Sequence, residues 1–131
     1  MTTKTQVQQA VSGPQKLSWE AVPLETVNPS MTRKIVTGER MTIAWIWFKD
    51  GYRVQQHSHV HEQITQVIKG RMRFWFGADR AHIVELGPGE TIVIPSNLPH
   101  EALCLGDVEE IDIWSPRRDD WLDGSDAYLR G

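Results

Sequence analysis

The sequence contains a single cysteine, Cys104, among its 131 residues. An intrachain disulfide, a two-cysteine redox motif and a zinc ribbon are therefore excluded, and a reducing cytoplasm is the expected location. No run approaches the roughly 20 consecutive apolar residues of a membrane-spanning helix, and the polar N-terminal stretch lacks the apolar segment of a secretory signal. We therefore expect a soluble chain with no membrane partner.

Positive charge is not in excess either. Lys and Arg number 14 against 17 Asp and Glu, which gives a formal net charge of -3. A surface that neutralises many phosphates needs the opposite balance, so no nucleic-acid partner is expected. Residues 1–16 have few apolar positions and are predicted to form a flexible N-terminal arm. The remaining residues, 17–131, suit one compact domain.

No amphipathic helical pattern of convincing length is present, and the informative region between Met41 and Trp114 consists of short apolar stretches between turn residues. Residues 17–37 are divided by prolines and predict extended edge segments. Many short strands with Gly and Pro turns are typical of a β-sandwich or barrel. The strands are predicted at 41–49, at 64–76 in two stretches that join at Gly70, and at 82–86, 91–94, 101–105 and 109–114.

Three of the five histidines, His57, His59 and His61, fall within five residues. In an extended segment they would lie on one face. Neutral imidazoles side by side do not stabilise one another, whereas a divalent metal ion offers each of them a bond. For a His-x-His pattern alone, a solvated polar strand is the competing interpretation.

Two spaced patterns extend this histidine cluster along the chain. The first runs from Gly51 to Gly70 with the spacing G-x5-H-x-H-x3-Q-x6-G, and the second runs from Gly89 to His100 with the spacing G-x5-P-x-N-x2-H. In order and in spacing they resemble the two motifs of the cupin superfamily. The resemblance implies an all-β fold, the double-stranded β-helix of the cupin jelly-roll barrel, with one divalent metal ion inside.

Two positions depart from the general cupin pattern in ways that affect loop geometry and packing, since Asn97 stands for a Gly and Cys104 for an Asn. A third departure lies within the ligand set itself, where Gln replaces Glu. An amide leaves the ion more of its positive charge than a carboxylate would, and so favours a stronger Lewis acid. Carried over position by position, the resemblance implies four metal ligands: His57, His59, Gln63 and His100.

Neighbouring residues offer alternative ligands. Glu62 carries a carboxylate, but strand alternation that turns Gln63 inward turns Glu62 outward. His61 shares the parity of the ligands, and we expect it to support the site or to lie at the surface more often than to bind the ion. Imidazole ligands suit several ions, so Ni, Zn, Fe and Mn all stay open.

A narrower resemblance covers roughly Trp19 to Leu122. It is to the single-domain pectin-degradation cupins that ketonise unsaturated uronates, a subgroup in which Gln at the third ligand position is usual. In this subgroup an Asp, an aromatic residue and an Arg complete the active site. The resemblance implies Asp112 and Arg118 as catalytic residues and Trp114 and Arg118 as substrate-binding residues, with Trp114 in place of the usual Phe. The matching segments are 33–39, 56–64, 94–100 and 112–120.

The resemblance implies a metal-dependent isomerase that converts a 4,5-unsaturated uronate, from pectin or alginate breakdown, to its linear keto form. Asp112 would move the proton, and Arg118 would clamp the substrate carboxylate in a two-pronged pair. For both residues the competing interpretation is an ordinary charged group in a solvated tail. A small acidic sugar derivative and a second copy of the chain, as a homodimer, are the implied partners.

Other functions fit the same metal site, because a fold does not fix a function. A cupin dioxygenase or lyase acting on another small acidic metabolite is one alternative. A non-catalytic metal-binding or sugar-binding cupin module is the other. An enzyme should lose turnover but keep its metal when Asp112 is replaced by Asn, whereas a binding module needs no Asp112.

Overall fold

The computed structural model describes residues 13–130, so most of the predicted N-terminal arm, residues 1–12, lies outside the described residues. No helix in residues 13–130 has the length and apolar character needed to span a membrane. A 3-10 helix (Trp19–Ala21) precedes the strands, and α1 (Asp119–Asp123) and α2 (Ala127–Arg130) follow them. The strands are β1 (Glu25–Asn28), β2 (Met31–Thr37), β3 (Thr42–Phe48), β4 (Arg53–His57), β5 (Glu62–Phe76), β6 (His82–Leu86), β7 (Thr91–Ile94) and β8 (His100–Ser115).

The strands form a barrel of two sheets. Each of the long strands β5 and β8 contributes one half to each sheet. The first half of β5 pairs with β7 and with the second half of β8, and β8 continues this sheet to β3, β2 and β1. The second half of β5 pairs with β6 and with the first half of β8, which in turn pairs with β4. All pairs are antiparallel, and the predicted all-β jelly roll is confirmed.

Two glycines allow the long strands to bend where they pass from one sheet to the other. Gly70 has a φ of 86° and Gly106 a φ of 95°, and the register of β5 against β8 shifts at this point. The sequence predicts separate strands on either side of Gly106. The structure joins them into β8, because a glycine at positive φ bends a strand without ending it.

Side-chain alternation divides the barrel interior into an apolar and a polar part. Along β2 and β3 every second residue is buried. Most of the interior is apolar, with Met31, Ile35, Ile46, Met72 and Phe74 among its buried residues. The inward positions of β5 and β8 also supply buried polar side chains, which line an internal cavity together with two histidines. These side chains are Gln63, Thr65, Glu110 and Asp112.

The C-terminal segment, residues 119–130, packs against the barrel at this cavity. A buried ion pair joins Arg33 of β2 to Asp126 at 2.8 Å, and the Arg33 guanidinium lies 4.1 Å from the centre of the Trp121 ring. Trp121, Tyr128 and Leu129 line the cavity, so the C-terminal segment contributes to the interior.

The close approach at Gly70 generates a prediction about stability. A Cβ there would lie 2.2 Å from the carbonyl oxygen of Asp107. Gly70→Ala should therefore lower the free energy of unfolding, measured by urea denaturation, by about 2 kcal/mol or more. Gly89 also has a positive φ of 83° but has nothing within 4 Å of an added Cβ, so Gly89→Ala is the matched control. Equal losses in the two variants would contradict the steric argument.

Candidate metal centre

The four predicted ligands come from four separate places in the fold. His57 ends β4, His59 lies in the loop that follows, Gln63 lies near the start of β5, and His100 begins β8. Ring nitrogens of His57, His59 and His100 all lie within 4.8 Å of one another. Oε1 of Gln63 is 3.1 Å from Nε2 of His59. The structure thus brings all four side chains together.

The strand alternation expected from His57 to Gln63 is wrong in part. β4 ends at His57 and β5 starts at Glu62, so His59 and His61 lie in a loop. Gln63 is nonetheless buried and Glu62 exposed, as expected. The backbone N–H of Asn97 donates to the carbonyl of His59 at 2.8 Å. This hydrogen bond joins the two motif loops and holds His59 in place.

Asn97 adopts a φ of 64°. Few residues other than Gly tolerate this left-handed conformation, and Asn is foremost among them. The departure from Gly at this position therefore preserves the loop geometry.

Each of the three clustered imidazoles is fixed in one tautomer. Nδ1 of His57 lies 2.8 Å from the carbonyl of Gln55, Nδ1 of His59 lies 3.0 Å from that of His61, and Nδ1 of His100 lies 2.8 Å from that of Leu98. A carbonyl oxygen only accepts, so each Nδ1 carries the proton and each Nε2 keeps a free lone pair.

Burial keeps these rings neutral. It lowers the pKa of His57 to about 3, with the neighbouring His100 adding to the effect. Burial and the charge of Arg118 lower the pKa of His59 to about 4. Burial also lowers the pKa of His100. Three uncharged nitrogen donors therefore converge at neutral pH.

A chain of hydrogen bonds fixes the orientation of the Gln63 amide. Nε1–H of Trp114 donates to Oε1 of Gln63 at 2.8 Å, and Nε2–H of Gln63 donates to the Thr65 hydroxyl at 2.8 Å. The Thr65 hydroxyl donates in turn to Oδ1 of Asp112 at 2.6 Å. Oε1 of Gln63 is therefore the amide atom that faces the histidines.

The donor set fits a divalent cation. Oε1 of Gln63 and the unprotonated Nε2 of His59 face each other at 3.1 Å as two acceptors without a proton between them. Nε2 of His100 is buried and has no hydrogen-bond partner among the described residues. A cation resolves both conflicts, since imidazole nitrogens and an amide oxygen are ligands for transition-metal ions. Within residues 13–130 the cluster includes no carboxylate, so a bound ion would retain its charge.

Asp112 lies inside the barrel rather than on a solvated tail. Its side chain is 4% exposed and lines the cavity together with His57 and His100. Burial raises the pKa of Asp112, whereas the hydrogen bonds from Glu110 and Thr65 oppose the shift. A buried carboxyl group within the cavity is well placed for proton transfer.

Arg118 is also buried, at 1% exposure. Its guanidinium lies 5.0 Å from the ring centres of both Trp114 and Trp121. Nε and Nη2 donate to the carboxylate of Asp120 at 2.8 and 2.6 Å. The two-pronged pair that the sequence analysis expects for a substrate carboxylate is thus formed with Asp120.

Three residues that line the cavity are not among the site residues predicted from the sequence. Thr65 and Glu110 continue the inward alternation of Gln63 on β5 and of Asp112 on β8, so strand periodicity alone would have found them. Tyr128 could not be found in this way, because the packing of the C-terminal segment places it. Its ring centre lies 4.5 Å from that of His57, and its hydroxyl accepts hydrogen bonds from Arg118 and Trp121.

The cavity itself is small and lies within the barrel. Its volume is about 40 Å³, enough for an ion with a few water molecules.

The ring of His61 lies outside the histidine cluster, and its carbonyl, which accepts from His59, supports the site instead. Cys104 is buried in the core, where burial raises the pKa of its thiol.

Comparisons with known proteins identify the family. The family model of the cupin domain matches residues 45–114. The chain belongs to the cupin superfamily. Its structure is similar to that of KdgF from Halomonas sp., with 31% identity, a TM-score of 0.70 and coverage of 79% of this chain and 95% of that one. No protein with a curated description matches the sequence.

Two more distant structures share the fold. An RmlC-like cupin from Shewanella frigidimarina has 22% identity and a TM-score of 0.72, and the match covers 91% of this chain and 99% of that one. A single-residue variant of oxalate decarboxylase from Bacillus subtilis has 19% identity and a TM-score of 0.70 over 82% of this chain. The match covers 31% of the decarboxylase chain, and at this identity it shows the fold alone.

The histidine cluster predicts a metal site that one substitution should disable. After chelation, the protein should bind Ni²⁺ or Zn²⁺ in a calorimetric titration, and His100→Ala should weaken binding by at least about tenfold. The exposed His82 lies outside the cluster, so His82→Ala is the control and should bind like the unaltered protein. Equal affinities for the two variants would argue against a site at the cluster.

Proposed function

We propose that the protein is a metal-dependent isomerase that opens a 4,5-unsaturated uronate and ketonises it to the linear keto acid. The observation that carries the proposal is the hydrogen-bonded line from Gln63 through Thr65 to Asp112. It links a neutral metal-binding cluster to a buried acid in one cavity. The 31% identity to KdgF from Halomonas sp. supports the proposal.

The proposed ligands are His57, His59, Gln63 and His100. A divalent metal ion bound there would supply a Lewis acid that stabilises negative charge on oxygen. The neutral donor set preserves that acidity. Its four side chains are fixed in advance by their hydrogen bonds to Gln55, His61, Leu98 and Trp114.

Asp112 is proposed to move the proton. Ring opening takes a proton from a hydroxyl oxygen, and ketonisation adds one to carbon, so a single acid/base group can serve both steps. The hydrogen bond from Thr65 to Oδ1 fixes the orientation of the Asp112 carboxyl group in the cavity. The apolar walls of the cavity limit competing exchange with water.

Trp114 and Arg118 are proposed to contact the substrate. Among the described residues, Nε and Nη2 of Arg118 bind Asp120 and Tyr128, so Nη1 is the edge of the guanidinium left for an anionic ligand. A sugar-sized ligand needs several hundred Å³, and the cavity of about 40 Å³ holds only part of one.

A homodimer is proposed through the outer face of the larger sheet. One cross-strand row on that face consists entirely of β-branched apolar residues, with Val93 and Ile64 56% and 38% exposed. A continuous apolar row of this kind can pack against its own copy about a twofold axis. In register, the row is Val36, Ile43, Ile113, Ile64 and Val93.

The activity is tested by following the ultraviolet absorbance of the double bond of 4,5-unsaturated galacturonate. The protein as isolated should accelerate its loss over the spontaneous rate, and a chelator should abolish the acceleration. Asp112→Asn should lower kcat by about 100-fold or more while metal content stays constant. Turnover unchanged in Asp112→Asn, or none by metal-loaded protein, would refute the proposal and favour a binding module or dioxygen-dependent chemistry.

The dimer is tested by size-exclusion chromatography with light scattering. The unaltered protein should elute as a dimer, and Val93→Glu should give a monomer because a charge in the apolar row is costly to bury. Ile83 is 54% exposed on β6, in the other sheet, so Ile83→Glu is the matched control and should stay dimeric. A monomeric unaltered protein, or a dimeric Val93→Glu, would contradict this interface.

A further inference from the structure

A buried pair of carboxyl groups lines the cavity, and the proposed function uses only one of them. Glu110 and Asp112 both project inward from β8, and they are 3% and 4% exposed. They line the same cavity as His57 and His100. Two buried carboxylates in contact repel each other and are poorly solvated, so the pair does not hold two negative charges at neutral pH.

The two carboxyls have unequal surroundings, which decides where the proton lies. Asp112 accepts a hydrogen bond from Thr65 at 2.6 Å and is further stabilised as an anion by the charge of Arg118. Oε1 of Glu110 is buried and has no hydrogen-bond partner among the described residues. A charged Glu110 would leave that oxygen unsatisfied, whereas a protonated Glu110 can donate to the Asp112 carboxylate.

The pKa of Glu110 agrees with a protonated Glu110 beside an ionised Asp112. Burial raises the pKa of Glu110 well above its usual range, and the charge of Asp112 raises it further. The groups around the pair do not reverse this. Cys104 on β8 is neutral because burial raises its pKa, and His57 and His100 are neutral because burial lowers theirs.

Arg118 is the permanent charge that acts on Asp112, and it is already paired with Asp120. The carboxylates of Glu110 and Asp112 also lie outside the histidine cluster. Their link to that cluster runs through Thr65 and Gln63, so the pair is a separate group of residues with its own proton.

We propose that Glu110 is the proton partner of Asp112: the pair holds a single proton, and Glu110 orients Asp112 and sets its ionisation state for transfer to a ligand in the cavity. Glu110 is thus a positioning residue that acts through Asp112. The part of this inference that concerns turnover rests on the proposed ketonisation. The part that concerns the shared proton does not.

A single shared proton matches the balance of that reaction. The anomeric hydroxyl gives up its proton as its C–O bond becomes an aldehyde carbonyl. The bond from this carbon to the ring oxygen breaks, and the electron pair stays on the ring oxygen. Carbon 4 takes up a proton as that oxygen becomes a ketone. One proton enters the pair and one leaves it, so the pair ends as it began.

The shared proton is tested directly by infrared spectroscopy on the purified full-length protein, without substrate. At neutral pH the protein should show the carbonyl stretch of a buried protonated carboxyl. Glu110→Gln should remove this band, and Asp112→Asn should retain it at a shifted position. Glu101→Gln is the matched control, because Glu101 is also a buried glutamate on β8 but forms ion pairs with Arg53 and Arg80. It should leave the band unchanged.

The pH dependence gives a second readout. Glu110 keeps its proton in the folded state to a higher pH than in the unfolded chain, so its contribution to stability is present at low pH and is lost as pH rises. The free energy of unfolding of the unaltered protein should therefore fall with rising pH relative to that of Glu110→Gln. For turnover, the alkaline limb of the plot of kcat against pH should move to higher pH by about one unit or more in Glu110→Gln. The reason is that the amide, unlike a protonated Glu110, has no proton to lose.

The outcomes separate this inference from the proposed activity. Absence of the protonated-carboxyl band from the unaltered protein, or its persistence in Glu110→Gln, would overturn the shared proton whatever the substrate. An unchanged kcat profile in Glu110→Gln would overturn the role in turnover. A band that behaves as expected in a protein that does not convert uronates would support the pair and reject the ketonisation.

Discussion

The candidate site depends on the register between β5 and β8. This pairing places Gln63 opposite Trp114 and Thr65 opposite Asp112, so each polar side chain of one strand meets its partner on the other. A slip of either strand by one residue would turn the polar side chains of that strand outward, because side chains alternate between the two faces of a strand. The bend at Gly70 and Gly106 lets the same two strands also reach His100, which begins β8. The pairing of β5 with β8 therefore determines both the fold and the positions of the site residues.

The sequence predicted the architecture well because its signals are local. Alternation and turn residues located β6 and β7 at their observed bounds, and the motif spacing placed four side chains that the fold brings together. The errors arose where tertiary packing decides. Alternation failed at His59, which a hydrogen bond from Asn97 holds in a loop. Tyr128 and the pairing of Arg118 with Asp120 depend on how the C-terminal segment packs, for which the sequence has no periodic signal.

Uncharged donors give the site a particular electrostatic character. The three imidazoles are neutral and the fourth donor is an amide, and the acidic side chains that line the same cavity are Glu110 and Asp112. The side chains that would bind the cation are thus separate from the carboxyl groups that would transfer a proton. Thr65 lies between the two groups, since it is hydrogen-bonded to both Gln63 and Asp112. The buried ion pair of Arg33 with Asp126 joins the barrel to the C-terminal segment, whose Tyr128 ring stacks on His57.

The hydrogen bonds from Trp114 to Asp112 all point in one direction. Each member donates to the next, and an amide at position 63 can both accept from an indole and donate to a hydroxyl, whereas a carboxylate can only accept. A carboxylate there would accept from Thr65 and draw its proton away from Asp112. Exchange of the amide for an acid would thus alter the acid/base group as well as the charge at the metal. Positions 63, 65 and 112 therefore form a unit in which a substitution at one has to be matched at the others.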